Sequence, residues 1–170
     1  MRNRFSQFHA AQIRIARHTG RLDQIIRFYE EGLGLKRLGE FHQHNGYDGV
    51  MFGLPHTDYH LEFTQHEGES TAPVPHPDSL LVFYVPNEEE VKAITAKLKR
   101  MGYQEAEPEN PYWSHGGVTI EDPDGWRIVF MNTKGISDKR FFPPLKGESF
   151  MSFSRKSFKK TLLISIKANE

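Results

Sequence analysis

The chain has 170 residues, 37% apolar and 26% charged, a globular composition for one ordinary domain or two small halves sharing a core. It contains no cysteine, which excludes disulfides, thiolate metal sites and cysteine nucleophiles. The formal net charge is zero, but residues 136–170 hold eight Lys or Arg against three acids, so the remaining 135 residues carry a balance of −5. An acidic body of this kind argues against a nucleic-acid partner.

Met1 to Ala10 lacks the apolar run of a signal peptide, and no stretch approaches the roughly 20 apolar residues of a membrane span. A cytoplasmic setting with no membrane partner is therefore expected. Gln12 to Arg17 alternates apolar and polar residues, as a half-buried strand does. Leu22, Ile25, Ile26 and Tyr29 follow at helical spacing, and Gly32 and Gly34 are placed to end that helix. Three short strands are predicted next, the last two joined across Gly53-Leu-Pro-His-Thr-Asp58. Glu67 to Asp78, with three prolines, reads as a linker.

The same pattern then recurs. Leu80 to Val85 is a nearly continuous apolar strand, and Asn87 with Glu90 resembles a capping box. Val91, Ile94, Leu98 and Met101 form an apolar stripe that Gly102 ends. Three further strands are expected, with a tight turn at Asp122-Pro-Asp-Gly125. Gly49-Val50…Pro55 and Gly117-Val118…Pro123 match at an offset of 68, as do Leu33-Gly34 and Met101-Gly102. Tyr59-His-Leu-Glu-Phe63 matches Trp126-Arg-Ile-Val-Phe130 at 67, so one residue is lost in the turn. The chain thus divides into a βαβββ module over 11–66, a linker over 67–78, a second βαβββ module over 79–133 and a basic extension over 134–170.

Phe28-Tyr-Glu-Glu-Gly-Leu-Gly-Leu35, His60-Leu-Glu-Phe63 and Glu121-Asp-Pro-Asp-Gly-Trp-Arg-Ile-Val-Phe130, taken with the repeat, resemble the vicinal oxygen chelate superfamily. That group includes glyoxalase I, fosfomycin-resistance enzymes, extradiol dioxygenases and bleomycin-binding proteins. The resemblance covers about residues 11–133. It implies an α+β fold in which two βαβββ modules form an open, curled mixed sheet around a cleft. Enzymes of this kind hold a divalent metal at four positions, which fall here on Arg14, Glu62, Leu80 and Val129. Glu62 alone has a donor suited to a metal, because Arg14 is a fixed cation and Leu80 and Val129 have no donor atoms. No cofactor is therefore expected, and a divalent metal is not supported by the matched positions.

Strand periodicity puts His60 and Glu62 on one face, with Arg127 and Val129 as their repeat counterparts. Arg14 and Glu62 are expected to form a buried ion pair where a metal would otherwise sit. Glu62 is the candidate general base, and Arg14 offers a planar fork for carboxylate, phosphonate or phosphate groups. Asn110-Pro-Tyr-Trp-Ser-His115 is a loop suited to covering the cleft, which adds Trp113 and His115 to Arg14, His60 and Arg127 as candidate ligand-binding residues. Packing as core or dimer contacts is the competing role for Tyr112 and Trp113. His42 and His44 share one expected strand face, and His56, His60 and His66 gather near the first hairpin, yet no spacing matches a strong metal signature.

The tail contains Phe141-Phe-Pro-Pro-Leu145, a basic stretch from Ser154 to Lys160 interleaved with phenylalanine, and a β-prone run from Thr161 to Ile166. A weakly ordered extension is the expectation. The leading functional expectation is a protein that binds a small anionic or aromatic molecule in the cleft, like the bleomycin-resistance type. The alternative is a metal-dependent lyase, isomerase or thiol transferase with a site rebuilt around Glu62. A structural dimer module, its cleft filled by its own side chains, is the third class. Sheet edges and apolar faces of such modules suit a homodimer.

Overall fold

The two stretches that repeat in the sequence fold into two similar sheets, seen in a computed structural model that describes residues 11–54, 56–72 and 74–135. All of them fall within the compact unit Met1–Gly135. The tail from 136 onward, with Phe141-Phe-Pro-Pro-Leu145, the basic stretch and the β-prone run, lies outside the described residues.

The first module runs β1 (Ile13–His18), α1 (Leu22–Ile26), β2 (Lys36–His44), β3 (Tyr47–Gly53) and β4 (Tyr59–His66). Its sheet order is β1-β4-β3-β2, with β1 parallel to β4 and the other pairs antiparallel. The second runs β5 (Leu80–Tyr84), α2 (Glu88–Arg100), β6 (Gly117–Glu121) and β7 (Arg127–Met131), in the order β5-β7-β6. The first of the three strands expected after α2 shrinks to a single bridge between Glu105 and Ile120. Glu107 to Pro111, with two prolines in five residues, explains this, since proline cannot donate to a ladder.

Strand register carries the duplication into three dimensions. Gly53 faces His60 and Glu121 faces Arg127; Gly49 faces Thr64 and Gly117 faces Met131. These equivalences reproduce the offsets of 68 and 67 read from the sequence.

α1 continues as a π-helical turn over Arg27–Gly32, where Leu33 N–H donates to the Phe28 carbonyl at 3.0 Å. The wider turn lets the neighbouring Phe28 and Tyr29 both face inward, each fully buried. They join Ile25, Val50, Phe52, Leu61 and Phe63 in the core of the first module. Burying a side chain of this size contributes about 1.5–3 kcal/mol. α2 begins at Asn87, whose side chain accepts from Glu89 N–H at 3.0 Å. Three glutamates follow in its first turn and Lys97, Lys99 and Arg100 close it, in line with the helix dipole. Val91 and Leu98 are buried as expected; Thr95 is also buried, its hydroxyl donating to the Val91 carbonyl at 2.8 Å.

The two modules share one core, with Phe28 edge-on to Tyr103 at 4.8 Å between ring centroids. No helix among the described residues is long and apolar enough to cross a membrane.

Candidate functional site

The parallel register of β1 and β4 sets Arg14 opposite His60 and Ala16 opposite Glu62. Side chains alternate across a strand, so Arg14, His60 and Glu62 come out on one face while Leu61 and Phe63 enter the core. Arg14 Nε donates to His60 Nε2 at 2.9 Å, and Nη1 donates to Glu62 Oε2 at 3.0 Å and Oε1 at 3.2 Å. The expected Arg14–Glu62 pair therefore exists, but it is half exposed on the Arg14 side rather than buried, and His60 is its third member. Among the described residues Nη2 has only the Met51 sulfur, at 4.0 Å, as a partner. The Arg14 side chain is 51% exposed and that of Glu62 is 10% exposed. Since a guanidinium can only donate, His60 Nε2 must accept, and the neutral ring carries its proton on Nδ1. That Nδ1 is buried with no hydrogen-bond partner among the described residues.

The second module supplies a different surface. Asn110 caps a short 3-10 turn, Pro111–Ser114, accepting from Tyr112 N–H at 3.0 Å. Trp113 packs edge-on to Tyr112 and lines a surface pocket of about 530 Å3 with Asp78, Leu80, Val82, Glu109 and Asn110. Gly117 admits this turn, since a Cβ there would lie 2.4 Å from the Trp113 carbonyl oxygen. Val129, opposite Thr119 in the ladder, is fully buried, and the Thr119 hydroxyl is buried with no hydrogen-bond partner among the described residues.

The remaining candidates are held elsewhere. Arg127 donates to Glu121 at 3.4 Å and to the Pro77 carbonyl at 3.3 Å. His115 is exposed, with Nδ1 2.8 Å from the Pro111 carbonyl of its own turn. The structure thus brings Arg14, His60 and Glu62 together. The Trp113 pocket is lined by residues of the second module and its approach alone.

A polar junction between the modules was not anticipated from the sequence. Tyr29 donates to Asp122 Oδ2 at 2.8 Å, and Asp122 Oδ1 accepts from the N–H groups of Asp124 and Trp126 at 3.0 and 2.9 Å. Arg17, on the opposite face of β1 from Arg14, lies 3.8 Å from Asp122 and 4.1 Å above the Trp126 ring. Burial pushes the Asp122 carboxyl above its usual range, against hydrogen bonds from Tyr29 and Trp126 and the charge of Arg17. Burial, then the Asp122 charge, holds the Tyr29 phenol well above its usual value. Both residues stood inside the resembling stretches, but nothing local links positions 29 and 122.

The histidines do not assemble. His42 and His44 lose their shared strand face, because Gln43 takes a left-handed φ of 52° and the β2–β3 register shifts there. His42 faces Asp48 at 3.6 Å, and His44 packs edge-on to Phe41. His60 and His66 sit at opposite ends of β4, and His66 packs against Tyr47. Among the described residues no group of three or more His, Asp or Glu is placed to hold a metal. The donors that point together, His60 Nε2 and the Glu62 carboxylate, are both satisfied by a guanidinium. The residues present do not fit the metal that the superfamily implies.

Over 139 residues the chain is 83% identical to the Bacillus subtilis (strain 168) protein YycE, covering 82% of this chain and all of that protein. The chain belongs to the YycE-like family. Its N-terminal domain model matches residues 13–64 and its C-terminal domain model matches residues 78–132. The crystal structure of the Bacillus subtilis YycE, a candidate glyoxalase/fosfomycin resistance protein, matches at a TM-score of 0.76 over 81% of this chain and all of that one. Leishmania major glyoxalase I matches at 0.59 and 20% identity, over 94% of this chain and 96% of that one. The fosfomycin resistance protein FosX of Mesorhizobium loti matches at 0.56 and 9% identity, over 74% and 91%. These likenesses place the YycE-like chain in the vicinal oxygen chelate superfamily, with the glyoxalase-like α+β fold.

Proposed function

We propose that the chain binds a small molecule with an oxyanion or aromatic group in the cleft between its modules, without a resident metal. The modules involved are taken as 11–66 and 79–133, joined by 67–78, and the setting as cytoplasmic. One observation carries the reading. Arg14 is held at Nε and Nη1, while Nη2 has no oxygen partner among the described residues and the side chain is half exposed. A guanidinium fixed in this way presents a preoriented edge to a carboxylate, phosphonate or phosphate. Glu62 keeps the cluster near neutrality and orients Arg14; if chemistry occurs, Glu62 is the base. Trp113 lines the separate surface pocket of the second module and offers a flat apolar face to an aromatic ligand.

β1 and β5 are edge strands among the described residues, and Ile13 and Ile15 stand 43% and 41% exposed. Native proteins protect such edges with charge, bulges or a covering element. A second copy is the occupant we infer, which makes the protein a homodimer.

The test is a thermal-shift panel of carboxylates, phosphonates and aromatic acids with metal chelated. A ligand at 100 times its dissociation constant stabilises by about 2.7 kcal/mol, a clear rise in Tm. Arg14→Ala is expected to abolish that rise. A rise that survives Arg14→Ala defeats the assignment, and a rise that needs added metal favours the lyase, isomerase or transferase alternative.

A further inference from the structure

We infer that Arg14 is a built-in cation that closes a latent metal site, standing where His60 and Glu62 would otherwise hold a divalent ion. The argument begins with direction. Two lone-pair donors on β4, the His60 Nε2 and the Glu62 carboxylate, meet one guanidinium, whose Nε lies 2.9 Å from His60 and whose Nη1 lies 3.0 and 3.2 Å from the Glu62 oxygens. Neutral imidazole and carboxylate are the donor types that divalent transition metals select. Both are buried, at 5% and 8% exposure, while the Arg14 side chain enters from the exposed edge strand.

Charge completes the case. Arg14 satisfies Glu62 permanently, because its guanidinium does not lose its proton in a protein. A divalent ion entering between His60 and Glu62 meets a fixed positive charge and finds two donors, fewer than the three that catalytic sites usually provide. The arginine therefore removes a ligand position and repels the ion at once. His60 matters here as much as Glu62, although the superfamily's matched positions do not include it.

The inference shares Arg14 with the ligand-binding reading but does not depend on it. Its probe is cobalt(II) alone, so its failure leaves the ligand reading to its own test. The full chain is prepared as wild type, Arg14→His, Arg14→His with His60→Ala, and Arg14→His with Glu62→Gln. Cobalt uptake is followed by visible absorption and calorimetry, and folding by circular dichroism and melting. Arg14→His supplies a third donor and removes the charge. It is expected to bind one cobalt at least tenfold more tightly than wild type, and each added substitution to reverse that gain. Arg14→Gln, which removes the charge at similar length, is the second variant and is expected to shift binding in the same direction. Wild type binding cobalt as tightly as Arg14→His overturns the inference. So does the failure of both single variants to take up cobalt while keeping the wild-type spectrum and melting curve.

Discussion

Tyr29 and Asp122, 93 positions apart, meet in a buried 2.8 Å hydrogen bond that ties the helical face of the first module to the tight turn of the second. The Asp-Pro-Asp-Gly turn has two tasks through one side chain. Asp122 Oδ1 organises the turn by accepting from Asp124 and Trp126, and Oδ2 receives the neighbouring module. Tyr29→Phe leaves a buried carboxylate short of a donor, a loss of about 1–3 kcal/mol. Urea unfolding measures it. A double-mutant cycle with Asp122→Asn is expected to show coupling between the two positions, and strict additivity would mean the bond contributes nothing beyond packing.

The same pair predicts how stability responds to pH. Tyr29 in the fold holds its proton well above the ordinary tyrosine value, because burial disfavours the phenolate. The folded state then binds more protons than the unfolded chain above about pH 10, so stability falls as pH rises from there toward the folded value. Asp122, raised by burial, has the same sign in the acid range. Its contribution is full below about pH 3.9, the usual aspartate value, and is lost as pH climbs through the folded value. Urea midpoints across pH are expected to show the alkaline fall in wild type and lose the Tyr29 part of it in Tyr29→Phe.

His60 is expected as the Nδ1–H tautomer, since Arg14 Nε occupies Nε2. Two-bond proton–nitrogen correlation spectra distinguish the tautomers directly. Arg14→Ala frees Nε2 and is expected to shift the ring toward a tautomer mixture. An Nε2–H ring in wild type contradicts the geometry.

Gly117→Ala places a methyl group 2.4 Å from the Trp113 carbonyl oxygen, so the Pro111–Ser114 turn has to move. Overpacking of this kind costs about 1–3 kcal/mol. Trp fluorescence is expected to change with it, while the His60 tautomer on the other module stays as in wild type. A variant with unaltered fluorescence and stability shows that the turn does not rest on Gly117.

Much of the polar site is legible in the sequence. The alternation His60-Leu61-Glu62 assigns both polar side chains to one face, and the position of Arg14 relative to Phe28 matches it to the first ligand position of the superfamily. That His60 joins the cluster, and that it does so as an acceptor, required the parallel register of β1 with β4. The histidine pair His42 and His44 shows the opposite case. Alternation predicts a shared face, and one left-handed residue between them, Gln43, breaks it.

The sequence by itself determined the duplication, the strand–helix–strand order of each unit, the helix limits at Asn87 and Gly102, and the lack of metal donors at Arg14, Leu80 and Val129. Each of these depends on local chemistry: side-chain period, capping, glycine freedom, and the presence or absence of lone pairs. Only the tertiary structure decided that Tyr29 meets Asp122, that Arg17 stacks on Trp126, and that the Trp113 pocket belongs to one module. Those outcomes join residues far apart in the chain, and they are selected by which apolar faces bury together and where buried polar groups then find partners.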